Sequence, residues 1–116
     1  MATVIDHPNE PTVRQLSAPE LKAMLDRGTP LVLIDVRTEY ERQIGMIDGS
    51  RLLDQEGYDY LMALDRTTAV VFQCHHGIRS QAAAEHCLRE GFRDLYNLDG
   101  GIDAWSRLVD PSVPRY

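Results

Sequence analysis

Two short, unbroken runs of strand-forming residues constrain the fold of this chain more than any other feature. They cover Leu31–Val36 and Ala69–Gln73, and neither alternates between apolar and polar positions. Strands that are apolar on both faces suit a parallel sheet covered by helices on each side, because a sheet with one wet face carries polar residues at every second position. The sequence therefore predicts a fold of the α/β class.

Segments with helical signals lie between and after these runs. The clearest covers residues 18–27, where Ser17 and Glu20 form a capping box. Pro19 lies in its first turn and Gly28 ends it. Further helices are expected after Thr38, over Asp54–Leu64, over Ser80–Glu90 and after Gly100-Gly101, with a further strand over Asp94–Leu98. Strands that alternate with helices predict one open, largely parallel sheet.

The ends of the chain are expected to be less regular than its centre. Residues 1–12 are interpreted as an irregular lead-in, residues 13–109 as a single domain, and residues 110–116, with two prolines, as an irregular tail. A length of 116 residues suits one domain and is short for two.

Charge and hydropathy argue against two classes of partner. The formal net charge of −6 disfavours nucleic acid, because non-specific binding to phosphates requires a basic surface. The longest strongly apolar run, Leu31–Ile34, is far shorter than the roughly 20 residues that cross a bilayer, so no membrane span is expected. Residues 1–8 lack the pattern of a secretory signal. With Cys74 and Cys87 interpreted as reduced thiols, we expect a cytoplasmic protein.

The segment that carries chemistry is Cys74-His75-His76-Gly77-Ile78-Arg79-Ser80, which follows the second buried run. Active sites of open α/β sheets form at the carboxyl ends of strands, where the next helix directs its unpaired amides and its positive dipole end. These groups stabilise a thiolate or a bound anion, so Cys74 is predicted to be reactive. Gly77 helps the loop to curl, and Arg79 either adds positive charge or braces a carboxylate such as Asp35.

The residues around Cys74 allow more than one interpretation. His75 and His76 either tune donor recognition or are simply solvated, and the sequence leaves this open. Consecutive residues on a curled loop do not obviously converge on one ion, so no metal is expected. Asp35 and Arg37 are interpreted as supporting residues that brace the loop, with Arg79 or Glu41 as their partners. Cys87 and Trp105 are expected in the core, and His86 at the surface.

Three blocks of the sequence resemble those of the rhodanese family. The resemblance extends from about Ser17 to Trp105 and is specific because the blocks occur together, in order and at the right spacing. The blocks are Leu33–Arg37 with Glu41 and Gly45–Gly49, then Cys74–Ser80, then Asn97–Trp105. One departure is Met46, where the family often has histidine, and this affects local packing only.

The resemblance implies a single rhodanese-like domain with a mostly parallel five-stranded sheet flanked by helices. It also implies a sulfurtransferase without a cofactor, which moves sulfur from thiosulfate or a persulfide to a thiol or cyanide through a persulfide on Cys74. Residues His75 to Ser80 would form the cradle for that sulfur, and a protein could serve as donor or acceptor. With two histidines rather than lysine or arginine at positions 75 and 76, thiosulfate is expected to be a poor donor.

Two other functions remain open at this stage. A phosphatase or arsenate reductase could use a related loop, but only four residues separate Cys74 from Arg79, one fewer than in cysteine phosphatases. The second alternative is a relay or binding module that passes sulfur or a signal without efficient turnover.

Overall fold

The computed structural model describes residues 10–116, which form a five-stranded sheet with the strand order β1-β5-β4-β2-β3. The strands are β1 (Val13–Leu16), β2 (Val32–Asp35), β3 (Arg51–Leu52), β4 (Ala69–Gln73) and β5 (Asp94–Leu98). The helices are α1 (Ala18–Asp26), α2 (Glu39–Ile44), α3 (Gln55–Met62), α4 (Ile78–Arg89) and α5 (Gly101–Leu108). The pairings between neighbouring strands are parallel, so the predicted fold class is confirmed.

Helices cover the sheet on both faces, which explains the lack of alternation in β2 and β4. Val71 of β4 packs into a cluster with Leu21 and Trp105, on the face covered by α1 and α5. Its neighbours Val70 and Phe72 pack into the opposite cluster, beneath α3 and α4. Each residue of these central strands therefore meets a core, whichever face it is on.

The predicted helices and the strand over Asp94–Leu98 are confirmed, with shifts of one or two residues at their ends. The edge strands β1 and β3 were not predicted, because the four residues of β1 show neither an alternating pattern nor an unbroken apolar run, and β3 has only two residues. Cys87 and Trp105 are buried as expected. His86 is partly exposed, and its Nε2 lies 3.0 Å from the Tyr58 hydroxyl.

The predicted irregular tail is held by contacts rather than by secondary structure. Residues 1–9 of the predicted lead-in lie outside the described residues, and residues 10–12 precede β1 without a regular element. Residues 110–116 form no helix or strand, yet Val113 is buried and its carbonyl accepts a hydrogen bond from the Ser106 hydroxyl. The tail thereby returns to the carboxyl edge of the sheet. Across residues 10–116, none of the helices combines the length and apolar character needed to cross a membrane.

Candidate active-site loop

Cys74 lies immediately after β4, at the carboxyl edge of the sheet, and α4 starts at Ile78. Gly77 caps α4 with a φ of 106°, a conformation that favours glycine. A side chain at this position would also come within 3.3 Å of the Leu98 carbonyl oxygen. The loop therefore turns tightly enough to direct the first amides of α4 at Cys74.

Three groups of the loop contact the Cys74 sulfur. The Gly77 amide donates to Sγ over 3.1 Å and the Ser80 amide over 3.4 Å, while the Ser80 hydroxyl lies 3.2 Å away. Only 1% of the Cys74 residue is exposed. The sulfur is therefore buried among hydrogen-bond donors rather than in an apolar pocket, which favours its anionic form.

The pKa of Cys74 lies below that of an ordinary thiol. Burial opposes ionisation and is the largest single influence, but the Ser80 hydroxyl and the amides of Ser80, Gly77 and His76 together outweigh it. Cys87 shows the opposite balance, because burial raises its pKa to about 11. The two cysteines thus differ in chemistry, and Cys74 is the one whose surroundings favour the thiolate.

Asn97 is a site residue that the sequence analysis did not single out. Its side-chain amide donates to the Gly77 carbonyl and to Gln15, each over 3.0 Å. These contacts turn its oxygen toward the Ser80 hydroxyl, at 2.5 Å. A hydroxyl has one proton, so Ser80 donates either to Asn97 or to the sulfur. Asn97 therefore competes with Cys74 for the Ser80 proton. The closing block of the sequence contained Asn97, but nothing local indicated this contact.

Replacing Ser80 with alanine is expected to raise the pKa of Cys74 by about one unit, because a hydrogen bond to a charged group is worth roughly 1.5 kcal/mol or more. Since the thiolate is the reactive form, the rate at neutral pH should fall and the pH profile should move to higher pH. The pH dependence of alkylation by iodoacetamide measures this midpoint. Ser50→Ala, which removes a buried hydroxyl outside the loop, is the control. An unchanged midpoint in Ser80→Ala would contradict a role for the hydroxyl.

The first turn of α5 holds the opposite side of the loop. The amides of Ile102 and Asp103 donate to the carbonyls of Cys74 and His75, over 2.8 and 3.1 Å. Gly101 permits this approach, since a Cβ atom there would overlap both carbonyl oxygens. The loop carbonyls therefore face α5, while the amides of Gly77 and Ser80 face the sulfur.

Arg79 pairs with Glu41 rather than with Asp35, which corrects one of the expected pairings. Its guanidinium donates to both Glu41 oxygens, over 2.7 and 3.0 Å. Asp35 instead binds Arg37 at 2.8 Å and Arg42 at 3.0 Å. The side chains of Asp35 and Arg37 are fully buried, and that of Arg42 is 19% exposed. Asp35 and Arg37 are only two residues apart, so they can form an ion pair within one segment of chain. Glu41 is therefore available to bind Arg79. Arg37 meets Glu41 only through the main-chain carbonyl, at 3.3 Å.

Tyr116 of the tail joins the loop in a way that the sequence analysis missed. Its ring stacks on His75 with centroids 3.9 Å apart and planes 7° from parallel. Its hydroxyl donates to Glu41 over 2.7 Å and accepts from Arg37 over 3.3 Å. His75 is thus held in place, and burial together with the nearby His76 lowers its pKa. Its imidazole therefore supplies no fixed positive charge at neutral pH.

His75, His76 and Asp103 offer ligand atoms within 4.8 Å of one another. The two imidazole rings stack with their centroids 3.9 Å apart, and three ligands are fewer than the four of a structural zinc site. The Asp103 carboxylate also binds Arg107 and Arg115, at 3.2 and 3.0 Å. We assign no metal to this group.

A parallel α/β sheet with a cysteine of lowered pKa in a loop at its carboxyl edge is an arrangement suited to thiol-dependent enzymes. Residues 17–108 match the family model of the rhodanese-like domain, and the chain belongs to that family.

Known relatives agree with this membership. A thiosulfate sulfurtransferase from Pseudomonas aeruginosa is 33% identical over 102 residues, which cover 87% of this chain and 90% of the relative. One from Stutzerimonas stutzeri is 35% identical over 96 residues, which cover 82% and 88%. The crystal structure of a rhodanese-like domain protein from Staphylococcus aureus superposes with a TM-score of 0.73 at 27% identity, covering 90% of this chain and 99% of that one. The chain is a sulfurtransferase of the rhodanese type.

Proposed function

We propose that the chain moves sulfane sulfur from thiosulfate or a persulfide donor to a thiol or cyanide acceptor, through a persulfide on Cys74, in the cytoplasm. The observation that carries this proposal is the set of donors around the Cys74 sulfur: two amides and one hydroxyl within 3.4 Å. Such donors stabilise the thiolate that attacks and the anionic persulfide that results.

The reaction has two balanced halves. In the first, the Cys74 thiolate attacks the outer sulfur of the donor, an S–S bond forms, and the donor's own S–S bond breaks with its electron pair on the leaving group. Thiosulfate thereby leaves as sulfite, and an alkyl persulfide leaves as a thiolate. In the second half, the acceptor attacks the terminal sulfur, and the Cys74 thiolate is the leaving group. A low pKa of Cys74 serves both halves, because it supplies the nucleophile first and the leaving group later.

The loop favours sulfur over a phosphoryl group. Its amides converge on the Cys74 sulfur itself, with the Gly77 amide at 3.1 Å. Its arginine, Arg79, is paired with Glu41 at 2.7 Å. A phosphate needs several donors and a free cation around its oxygens, whereas here two amides donate to the sulfur and the arginine is paired. The phosphatase alternative therefore has no observation in its favour.

The test of this proposal is intact mass spectrometry of the purified protein before and after exposure to thiosulfate or a persulfide donor. We expect the mass to rise by that of one sulfur atom, and cyanide to remove it as thiocyanate. Failure of both donors to load the protein would contradict the persulfide mechanism and favour a binding module.

Thiosulfate is expected to be the poorer of the two donors, with a high KM. His75 is neutral at neutral pH and Arg79 is already paired, so the loop offers little net charge to a dianion. Initial rates of loading, measured at matched concentrations of thiosulfate and a small alkyl persulfide, check this expectation. Efficient loading by micromolar thiosulfate would contradict it.

A further inference from the structure

The Glu41 carboxylate is held by five hydrogen-bond donors. One oxygen accepts from the Thr38 amide, the Thr38 hydroxyl and Arg79, and the other accepts from Arg79 and the Tyr116 hydroxyl. Only 14% of its side chain is exposed. The pKa of Glu41 is held far below its usual range, chiefly by Arg79, so the group stays charged at any pH at which the protein works. Glu41 and Arg79 therefore both stay charged in the folded protein, and the bidentate geometry pairs them directly.

This ion pair lies beside the reactive sulfur. Arg79 directly precedes Ser80, whose amide and hydroxyl both contact the Cys74 sulfur. On the Glu41 side, the pair is continuous with Tyr116, whose ring stacks on His75, the residue that follows Cys74. The pKa of Arg79 is raised chiefly by Glu41 and also by the charge of Cys74, so the pair lies within electrostatic range of the sulfur.

Arg79 is the only arginine or lysine in the segment 74–80. Other cations near the site also have carboxylate partners: Arg37 and Arg42 share Asp35, while Arg107 and Arg115 share Asp103. The Arg37 side chain is fully buried, and Arg107 and Arg115 lie outside the loop, on α5 and on the tail. Arg79 is 44% exposed, so water weakens its field at the loop without abolishing it. Arg79 is thus the one cation within the loop whose charge could be released by removing a single carboxylate.

We propose that Glu41 is a specificity-determining residue that neutralises Arg79 and thereby makes the loop prefer persulfides of low charge over the thiosulfate dianion. This inference rests on the proposed sulfur transfer and adds to it the residue that sets donor choice. Both donors deliver one sulfur to the Cys74 thiolate by the same S–S exchange. They differ in charge, since thiosulfate carries two negative charges and 2-hydroxyethyl persulfide at most one. The electrostatic potential at the loop therefore affects the kcat/KM of thiosulfate more than that of the persulfide.

The test is the variant Glu41→Gln, which removes the charge but keeps a side-chain oxygen for the Thr38 amide. We expect the kcat/KM for thiosulfate to rise about tenfold, mainly through a lower KM, as one uncovered charge attracts a dianion. The kcat/KM for 2-hydroxyethyl persulfide should rise only about threefold, because the interaction energy scales with the charge of the donor. The ratio of the two values is the measured quantity.

Two further variants separate this effect from general changes. Glu39→Gln removes the same charge from an exposed position of the same helix, and it should leave the ratio unchanged. The double variant Glu41→Gln with Arg79→Gln should lose the gain toward thiosulfate, because no cation remains to be uncovered. A gain that persists in the double variant would overturn the proposal.

A measurement on the unaltered protein keeps the proposal testable if Glu41→Gln does not fold. Because Arg79 is neutralised, loading by thiosulfate should be flat or rise with salt, whereas a free cation would make it fall steeply. A steep fall would overturn the role of Glu41. Absence of a persulfide on Cys74 with either donor would overturn the proposed function itself. An unchanged donor ratio in a folded Glu41→Gln that still forms the persulfide would overturn only this inference.

Discussion

Replacing Cys74 with serine is expected to lower the rate of sulfur transfer at least about a thousandfold, because removal of a nucleophile leaves only the binding contributions to catalysis. The serine hydroxyl fits the space of the thiol and can accept the same hydrogen bonds from Gly77 and Ser80. It is not ionised at neutral pH, however, and its oxygen cannot form the S–S bond of a persulfide. Thiocyanate production from thiosulfate and cyanide, followed over time, measures the loss.

The matched control is Cys87→Ser, which makes the same chemical change in the other cysteine. Cys87 is 2% exposed, packs between α4 and the sheet, and remains a thiol at neutral pH because burial raises its pKa to about 11. We expect this variant to keep its activity and its mass shift, at a modest cost in stability of about 1 kcal/mol. If Cys87→Ser lost the sulfur adduct while Cys74→Ser kept it, the assignment of the nucleophile would be wrong.

Replacing Gly101 with alanine is expected to have the second-largest effect. The residue has a φ of 60°, and a Cβ atom would overlap the carbonyl oxygens of Cys74 and His75. The loop must then move away from α5, which breaks the hydrogen bonds from the amides of Ile102 and Asp103. We expect a loss of about 3 kcal/mol or more in the free energy of unfolding, from backbone strain and lost hydrogen bonds together.

The same change should slow sulfur loading by at least about tenfold, since displacement of the loop misaligns the donors around the sulfur. Urea unfolding gives the stability, and the initial rate of persulfide formation gives the activity. Gly28→Ala is the control, because Gly28 has a φ of 72° but no heavy atom within 4 Å of its Cβ position. It should cost only about 1 kcal/mol of backbone strain and leave loading unchanged. Equal effects of the two variants would show that the contact with the loop is unimportant.

The strand runs and the loop could be predicted because their signals are local. The lack of alternation in Leu31–Val36 and Ala69–Gln73 indicates burial on both faces of the sheet. The position of Cys74 between a strand and a helix indicates that the first amides of α4 point toward it. The edge strand β3 gave no such signal, because two residues cannot show a period. The three blocks further indicated the family, which the comparisons confirm.

By itself, the sequence determined the α/β class, the position of Cys74 at the end of a strand and the residues of the loop that follows it, since these depend on periodicity and on neighbours along the chain. Only the tertiary structure decided that Arg79 pairs with Glu41, 38 positions away, and that Tyr116 closes over His75. The physical reason is that Asp35 and Glu41 are equally acidic partners in the sequence, and the choice depends on which carboxylate is already taken. Arg37 and Arg42 occupy Asp35 in the folded core, so Glu41 is left to hold the loop arginine.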